Sequence, residues 1–221
     1  AFDALAATLS DGVVHALPSM SHTVGRTRQA FVVMARAQHV GKVVVQVPSV
    51  AQVRSDGAWL VTGGLGMLGL MMADWLREYG AAHLALVSRS GRAADAAASS
   101  TTDHHHAVVR LARCDVARRA AATWAARGAD ATAPTAGLLH AGGVLRDAVL
   151  LNQSAARTAA VYAPKVCGAS HLRDALAAHA MASSVLFSSV VSLLGGGGQA
   201  NYGAANAALD SFAHRSLTSG V

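Results

Sequence analysis

The stretch that decides the fold runs Trp59-Leu-Val-Thr-Gly-Gly-Leu-Gly-Met-Leu-Gly69 and continues through Leu70 to Tyr79. An apolar run from Ala58 to Val61 stops at three glycines spaced three apart, and apolar residues at helical spacing follow at once. This order predicts a strand, a tight turn and a helix. Glycine lets the backbone pass close to a ligand, and the new helix presents free N–H groups, so the turn suits a pyrophosphate. Taken alone, the glycine triplet also fits an ordinary turn between a strand and a helix.

The composition limits the class of protein. Of the 221 residues, 52% are hydrophobic and 14% are charged, so the chain can bury a large core in one or two domains. The long uncharged stretch 175–209 is interrupted by serines and four consecutive glycines, which argues against a membrane helix. The N-terminus lacks the basic start of a signal peptide, and two cysteines make no disulfide framework. The expected location is therefore the cytoplasm.

The formal net charge of +6 calls for an anionic partner. Lysines and arginines are scattered singly, without interleaved aromatics, so we expect phosphate ligands or an acidic protein rather than nucleic acid. The triplet His104-His105-His106 lies in the low-complexity run 93–107 and has no second ligand group at metal spacing. It predicts a solvated, partly disordered segment and no metal site.

Residues 1–50 are expected to form a unit separate from the one that begins at Ala58. Ala1 to Leu9 and Thr27 to Gln38 have helical patterns, and the β-branched run Lys42 to Val47 predicts a strand. Turn-prone residues lead through a linker at 51–57 to the second unit, 58–221.

Strand and helix patterns alternate through this second unit. Further strands are predicted at His83 to Ser88, Ala107 to Ala112, Thr135 to His140 and Val185 to Ser189. A helical stretch passes through Trp124, and a long helix from about Asn152 to His179 is kinked near Pro164. The alternation predicts a Rossmann-type, doubly wound parallel α/β sheet that binds ligands at the carboxyl ends of its strands.

Arg89 follows the second of these strands, where folds that prefer NAD place an acid for the ribose hydroxyls. An arginine suits a 2′-phosphate instead and therefore favours NADPH. A solvated loop arginine is the alternative.

Ser189 closes the fifth predicted strand, and Tyr202 follows thirteen positions later at the start of a helix. Asn206 lies four residues after the tyrosine, so both share one helix face and can reach the same cleft as the serine. Each residue taken singly also has an ordinary structural explanation.

Several motifs, in order and at matching spacings, resemble the β-ketoacyl reductase domain of type I polyketide and fatty acid synthases, a branch of the short-chain dehydrogenase/reductases. They are Thr62-Gly-Gly-Leu-Gly-Met-Leu-Gly69, Ser88-Arg89, Cys114-Asp-Val116, His140-Ala-Gly142, Ala163-Pro-Lys165, and Phe187-Ser-Ser189 with Gln199-Ala-Asn-Tyr202-Gly-Ala-Ala-Asn206. The likeness covers about residues 58–221. Upstream, Ala30 to Val45 resembles the closing segment of medium-chain enoyl reductase domains of the same synthases.

The resemblance implies NADPH-dependent reduction of a β-ketoacyl thioester, with Tyr202 as the acid, Ser189 orienting the carbonyl, and Lys165 and Asn206 completing a tetrad. The implied cofactor contacts are Thr62, Gly63, Gly64, Leu65, Gly66, Met67, Leu68, Gly69, Ser88, Arg89, Asp115, Val116, His140, Ala141, Gly142, Lys165 and Tyr202.

Two positions bear on stereochemistry under this resemblance. In the synthase family, an Asp within a Leu-Asp-Asp pattern goes with one hydroxyl configuration and a Trp before the tyrosine goes with the other. This chain has Leu145-Arg146-Asp147, and Leu194 stands where the Trp falls. The expected product is the 3R-hydroxyacyl thioester.

The implied partners are an acyl carrier protein with a phosphopantetheine-linked substrate and a neighbouring enoyl reductase, within a homodimeric synthase. Family members continue past the position of Val221 with further strands and a lid, so the chain is expected to be a fragment of such a synthase. The alternatives are a catalytically inactive reductase-fold scaffold, another short-chain dehydrogenase acting on a free small ketone, and a nucleotide-sensing module.

Overall fold

The computed structural model describes residues 18–37, 39–46, 53–92 and 107–218. The chain divides into two compact units, Ala1–Ala51 and Gln52–Val221. The helix expected at Ala1 to Leu9, the first residues of the linker and the histidine-containing run at 93–106 lie outside the described residues.

The first unit contains two short parallel strands and one helix. Strand β1 (Ser19–Thr23) pairs with β2 (Lys42–Gln46), and a 3₁₀ turn and helix α1 (Thr27–Ala35) lie between them in sequence. Helix α1 ends before the predicted Gln38, because the chain turns out of the helix at Ala37, whose φ is +49°. Strand β1 was not predicted, since its short sequence Ser-Met-Ser-His-Thr lacks the β-branched run of β2.

The second unit is built on a five-stranded parallel sheet, in agreement with the predicted class. Its strands are β3 (Ala58–Thr62), β4 (His83–Ser88), β5 (Val108–Arg113), β6 (Thr135–His140) and β7 (Ser183–Leu186). Their order across the sheet is β5-β4-β3-β6-β7. The strand that enters the glycine turn is therefore central, and the strand order reverses between β3 and β6, where doubly wound sheets bind ligands.

Helices follow β3, β5, β6 and β7 as the alternating pattern predicts, and most of the segment between β4 and β5 lies outside the described residues. The helices are α2 (Met67–Glu78), α3 (Arg119–Asp130), α4 (Ala155–Tyr162), α5 (Gly168–Leu176), the single turn α6 (Val191–Leu194) and α7 (Ala200–Thr218). Helices α4 and α5 form one continuous segment interrupted by a π turn at Ala163–Cys167. The predicted kink near Pro164 is thus confirmed, because proline lacks the N–H that a regular α-helix needs at this point.

The fifth strand is shorter than predicted. It ends at Leu186, and Ser188 and Ser189 lie beyond it rather than at its end. The ladder stops because Leu186 pairs with His140, the last residue of β6, and one more backbone bond joins Phe187 N–H to the His140 carbonyl. An edge strand cannot continue once its neighbour has ended.

The core is divided by the central strand. Leu60 packs on one face of the sheet with Leu172 of α5, whereas Trp59 and Val61 pack on the other face with Leu76 of α2. Successive residues of a strand point to opposite faces, so β3 carries apolar side chains throughout and is buried along its whole length. This packing fixes the glycine turn at the carboxyl edge of the sheet.

Candidate active site

The glycine turn after β3 packs tightly against the residue that follows β6, the neighbouring strand in the sheet. Gly63 has a φ of +67°, and a Cβ there would lie 2.7 Å from the Ala141 carbonyl oxygen. A Cβ on Gly69, in the first turn of α2, would lie 2.3 Å from the Gly63 carbonyl oxygen. These two positions therefore require glycine, and the compact turn leads directly into the N-terminus of α2.

A cleft of about 610 Å³ opens at this edge of the sheet. Ten of the predicted cofactor contacts line it: Thr62, Gly63, Leu65, Gly66, Ser88, Arg89, Asp115, Val116, Ala141 and Gly142. Six residues that the sequence did not single out as contacts also line it: Val87, Ser90, Arg92, Cys114, Gly143 and Pro164. The sequence held a signal for three of these six: Cys114 and Pro164 stand within the quoted motifs, and Arg92 follows Arg89 within the same short loop.

Five of the other predicted contacts lie off the wall of this cleft. Gly64 and Gly69 are buried behind the turn, where their lack of a side chain permits close packing. Met67 and Leu68 lie on the first turn of α2 and are 66% and 43% exposed. His140 is only 1% exposed and lies beneath the cleft, inside the protein.

Four exposed arginines, which we call the arginine rim, surround the far end of the cleft. Arg89 and Arg92 line the cleft, and Arg89, Arg113 and Arg118 line an adjoining hollow of about 490 Å³. The Arg113 Nε donates to the Arg89 carbonyl oxygen over 3.1 Å, which ties β5 to the loop after β4. Within the described parts of the chain none of the four forms a salt bridge, so their charge is available to an anionic ligand.

The scattered arginines of the sequence are thus gathered in space. The parallel sheet brings the ends of β4 and β5 together. Arg113 therefore lies near Arg89, although 23 residues separate them in the sequence. The interpretation of a phosphate ligand gains a structural basis from this grouping.

A second group, which we call the lysine side, consists of Lys165, Ser189, Tyr202 and Asn206. None of these four lines the cleft, so the predicted contacts Lys165 and Tyr202 lie beside it, next to its lining residues Gly143 and Pro164. Lys165 lies in the π turn and is 5% exposed. Its Nζ donates to the Phe187 carbonyl oxygen over 2.8 Å and lies 5.5 Å from the centroid of the Tyr202 ring. Burial lowers the pKa of Lys165, and the charge of Asp210 opposes that shift.

Ser189 and the first turns of α7 complete the lysine side. The Ser189 Oγ accepts a hydrogen bond from the Val191 N–H at 3.3 Å, and its own hydrogen has no acceptor among the described residues. The Asn206 Nδ2 donates to the Tyr202 carbonyl oxygen over 2.8 Å. Asn206 is fully buried, and its Oδ1 has no hydrogen-bond partner within the described ranges. A buried acceptor without a donor indicates a place for a water or a ligand group.

His140 connects the glycine turn to the lysine side. Its Nδ1 lies 2.6 Å from the Thr62 Oγ1, and its Nε2 lies 3.0 Å from the Lys165 carbonyl oxygen. Burial lowers the pKa of His140 to about 4, so the imidazole is neutral near pH 7.

The two positions expected to govern stereochemistry lie near the segment that leads into α7. The Asp147 Oδ2 accepts a hydrogen bond from the Gln199 Nε2 at 3.1 Å. Leu194 ends α6 and is 81% exposed, just before Gly195, whose φ is +73°.

The described residues contain neither a metal-binding cluster nor a membrane-spanning helix. No set of three or more His, Cys, Asp or Glu side chains there is arranged to hold a metal ion. In the same part of the chain, no helix has the length and hydropathy needed to cross a membrane.

Comparison with known proteins places this geometry in context. The family model described as "KR domain" matches residues 57–221. Polyketide synthase GfsB of Streptomyces halstedii is 39% identical over 217 residues, which cover 96% of this chain and 4% of GfsB. Pikromycin polyketide synthase component PikAII of Streptomyces venezuelae is 38% identical over 221 residues, which cover 97% of this chain and 6% of PikAII. The chain therefore spans a small part of the length of these relatives.

A solved structure has the same arrangement of elements. The structure titled "Structure of A-type Ketoreductases from Modular Polyketide Synthase" superposes with a TM-score of 0.70 and 36% sequence identity. The match covers 75% of this chain and 36% of the solved one.

Proposed function

The chain belongs to the ketoreductase (KR) domain family of type I polyketide synthases, and from that premise we propose that it reduces a β-ketoacyl thioester with NADPH. The substrate in this proposal is tethered by phosphopantetheine to an acyl carrier protein, and the product is the β-hydroxyacyl thioester. The observation that carries the proposal is the buried Lys165 ammonium, 5.5 Å from the centre of the Tyr202 ring. Pro164 and Gly143, which line the cleft, lie beside this pair, since a Cβ on Gly143 would be 3.4 Å from the Lys165 Cε.

The residues of the cleft fit a dinucleotide. The glycine turn has no room for a Cβ at Gly63 or Gly69, and the N-terminus of α2 suits a pyrophosphate. The arginine rim offers Arg89 and Arg92 to the 2′-phosphate of NADPH, because guanidinium groups bind phosphate oxygens with two parallel hydrogen bonds. When bound, NADPH supplies the hydride that the carbonyl carbon accepts.

Tyr202 is the proton donor in this proposal. As hydride reaches the carbonyl carbon, negative charge develops on the oxygen, and the Tyr202 hydroxyl delivers a proton to it. The resulting phenolate lies next to the Lys165 ammonium, which stabilises it. Burial lowers the pKa of Lys165, so the nearby Asp210 carboxylate has a role in keeping the ammonium charged.

Ser189 and Asn206 have supporting roles. The uncommitted hydrogen of the Ser189 hydroxyl can bond the ketone oxygen and orient it toward Tyr202. The free Oδ1 of Asn206 can accept from a water that returns a proton from solvent to Lys165.

The product in this proposal has the 3R configuration. The reason is the presence of Asp147, held by Gln199, together with Leu194 in place of a tryptophan. Chiral chromatography of the reduced product tests this directly, and a 3S alcohol would contradict it.

We also propose that residues 1–50 are the closing segment of an enoyl reductase domain, that 51–57 are a linker and that 58–221 form the ketoreductase unit. The support for the first assignment is the sequence likeness of Ala30 to Val45, together with the strand β2 that ends it. An active enoyl reductase whose activity survives deletion of residues 1–50 from the intact protein would contradict that assignment.

The test of the reductase proposal follows NADPH absorbance during reduction of a β-ketoacyl thioester by the intact protein, with Tyr202→Phe alongside. We expect Tyr202→Phe to bind NADPH and to lose turnover by at least about 100-fold, because only the proton donor is removed. Tyr79→Phe, at an exposed position after α2, is the matched control and should behave as the wild type. A wild-type protein that binds NADPH without turnover would favour the inactive scaffold instead.

A further inference from the structure

We propose that His140 is a positioning residue that fixes the backbone of Lys165 relative to the first residue of the glycine turn. Its imidazole joins the Thr62 hydroxyl on one side to the Lys165 carbonyl on the other. The inference rests on the proposed function, since it takes Lys165 as part of the reductase site. It assigns to His140 no contact with a ligand, because the residue is 1% exposed beneath the cleft.

One tautomer satisfies both contacts. A carbonyl oxygen only accepts hydrogen bonds, so the His140 Nε2 must carry the hydrogen that it donates to Lys165 O over 3.0 Å. The neutral ring then has no hydrogen on Nδ1, which accepts from the Thr62 hydroxyl at 2.6 Å. The low pKa of about 4 agrees with a ring that stays neutral. Donor and acceptor roles are therefore fixed along the whole chain of contacts from Thr62 to Lys165.

The local structure around Lys165 explains why an outside donor is useful. Lys165 lies in the π turn at Ala163–Cys167, where backbone pairing departs from the α-helical pattern. The next segment approaches the imidazole closely at Gly168, where a Cβ would be 3.2 Å from the His140 Cε1. Glycine at this position lets the helix pack onto the ring, so the π turn and the imidazole fit one another.

The contacts link three separate parts of the site. Thr62 ends β3 and is followed directly by Gly63 of the turn, His140 ends β6, and Lys165 stands at the π turn between α4 and α5. The Lys165 ammonium is also held at its far end by the Phe187 carbonyl. Because both ends of the lysine are anchored, a change at His140 moves the ammonium relative to Tyr202 and also loosens the start of the glycine turn.

The experiment compares His140→Leu with the wild type in the intact protein. We expect kcat to fall by about 100-fold, because a displacement near 1 Å of a reacting group has an effect of that size. The pH dependence of kcat should also shift to higher pH, since the displaced ammonium stabilises the Tyr202 phenolate less well. Independently of turnover, the Kd for NADPH measured by fluorescence should rise by about tenfold through the loosened glycine turn.

His140→Gln is the rescue variant. Its amide can both donate and accept, so it should recover part of kcat and return the pH profile toward that of the wild type. The control is His179→Leu, which removes a contact of a different, half-buried histidine, the 2.9 Å bond to Asp130 Oδ2. This control should lower stability without shifting the pH profile or the affinity for NADPH.

If His140→Leu does not fold, Thr62→Val replaces it. Valine keeps the shape of threonine and removes only the hydroxyl that donates to Nδ1, so smaller changes in the same directions are expected. Folded variants with a wild-type pH profile and wild-type NADPH affinity would overturn the role of His140. A wild type that binds NADPH but reduces no thioester would instead overturn the proposed function, and the NADPH affinities would still decide the role of His140.

Discussion

The arginine rim places cations on the wall of the cleft and the lysine side places one beside it, in opposite environments. The rim carries its arginines on exposed loops and at the exposed end of β5, and none of the four is paired with a carboxylate in the described residues. The lysine side buries its one ammonium to 5% exposure and holds it between Phe187 and the Tyr202 ring. Exposed cations attract a ligand from solution, whereas a buried cation acts only on its immediate neighbours. The rim should therefore control cofactor affinity and the lysine side should control turnover.

Removing the buried ammonium should have the largest effect. In Lys165→Met the apolar chain keeps the packing, but Tyr202 loses its charged neighbour, so turnover should fall by about 1,000-fold. Measurement of kcat at saturating NADPH checks this. Lys42→Met, in the first unit, is the matched lysine control and should leave kcat unchanged. Equal losses in both variants would show that the effect comes from net charge or general stability.

The stability of the site should depend on pH through His140. Because burial lowers its pKa to about 4, the unfolded chain binds a proton more readily than the folded one between pH 6.5 and 4. The free energy of unfolding has its full value above pH 6.5 and should fall by about 3 kcal/mol as the pH drops to 4.

Calorimetry of the intact protein across this range checks the prediction, with His140→Gln as the comparison. The lowered pKa values of Asp130 and Asp174 also reduce stability in acid, but they do so equally in both proteins. The difference between the two proteins should therefore shrink as the pH falls. A constant difference would contradict a buried neutral histidine.

Removal of one rim arginine should have a smaller effect than removal of the Lys165 ammonium, and it should change cofactor affinity rather than turnover. Arg89→Ala should raise the Kd for NADPH by about 10- to 100-fold, the value of one hydrogen-bonded charge contact, and leave that for NADH nearly unchanged. Fluorescence titrations with both cofactors measure this. Arg127→Ala, on the exposed face of α3, is the control. Parallel loss of NADH affinity would mean that Arg89 does not face the 2′-phosphate.

The smallest effect is expected for a cation outside the cleft. Arg119 pairs with Asp174 at 2.7 Å on an exposed surface between α3 and α5. Arg119→Ala should lower the free energy of unfolding by roughly 0.5 kcal/mol and leave NADPH binding and turnover unchanged, since surface pairs are screened by solvent. Calorimetry at neutral pH with an activity assay checks both points. A loss above about 2 kcal/mol would contradict this estimate for an exposed pair.

The sequence predicted the central strands best. The bounds predicted for β4 and β6 match the structure, because both strands are apolar runs buried on both faces of a parallel sheet. The end of β7 was predicted three residues too late. Its length depends on where β6 ends, at His140, and that partner is distant in sequence.

The sequence predicted the catalytic residues of the candidate site but not the contacts that they make. The resemblance to known motifs predicted Lys165, Ser189 and Tyr202 as catalytic residues, and it also predicted His140 as a cofactor contact. No local pattern could assign His140 to the interior, because its partners Thr62 and Lys165 lie 78 and 25 residues away. The arginine rim was missed for the same reason, since only the sheet brings Arg113 next to Arg89.

The most direct test of the account measures two quantities on two variants of the intact protein. Tyr202→Phe should lower kcat by at least about 100-fold with a wild-type Kd for NADPH. Arg89→Ala should raise that Kd with a nearly wild-type kcat at saturating NADPH. This crossed pattern would establish that the arginine rim binds the cofactor and the lysine side performs the reduction. If both variants change the same quantity, the arginine rim and the lysine side do not have separate roles. If the wild type does not reduce a β-ketoacyl thioester, the lysine side does not perform this reduction.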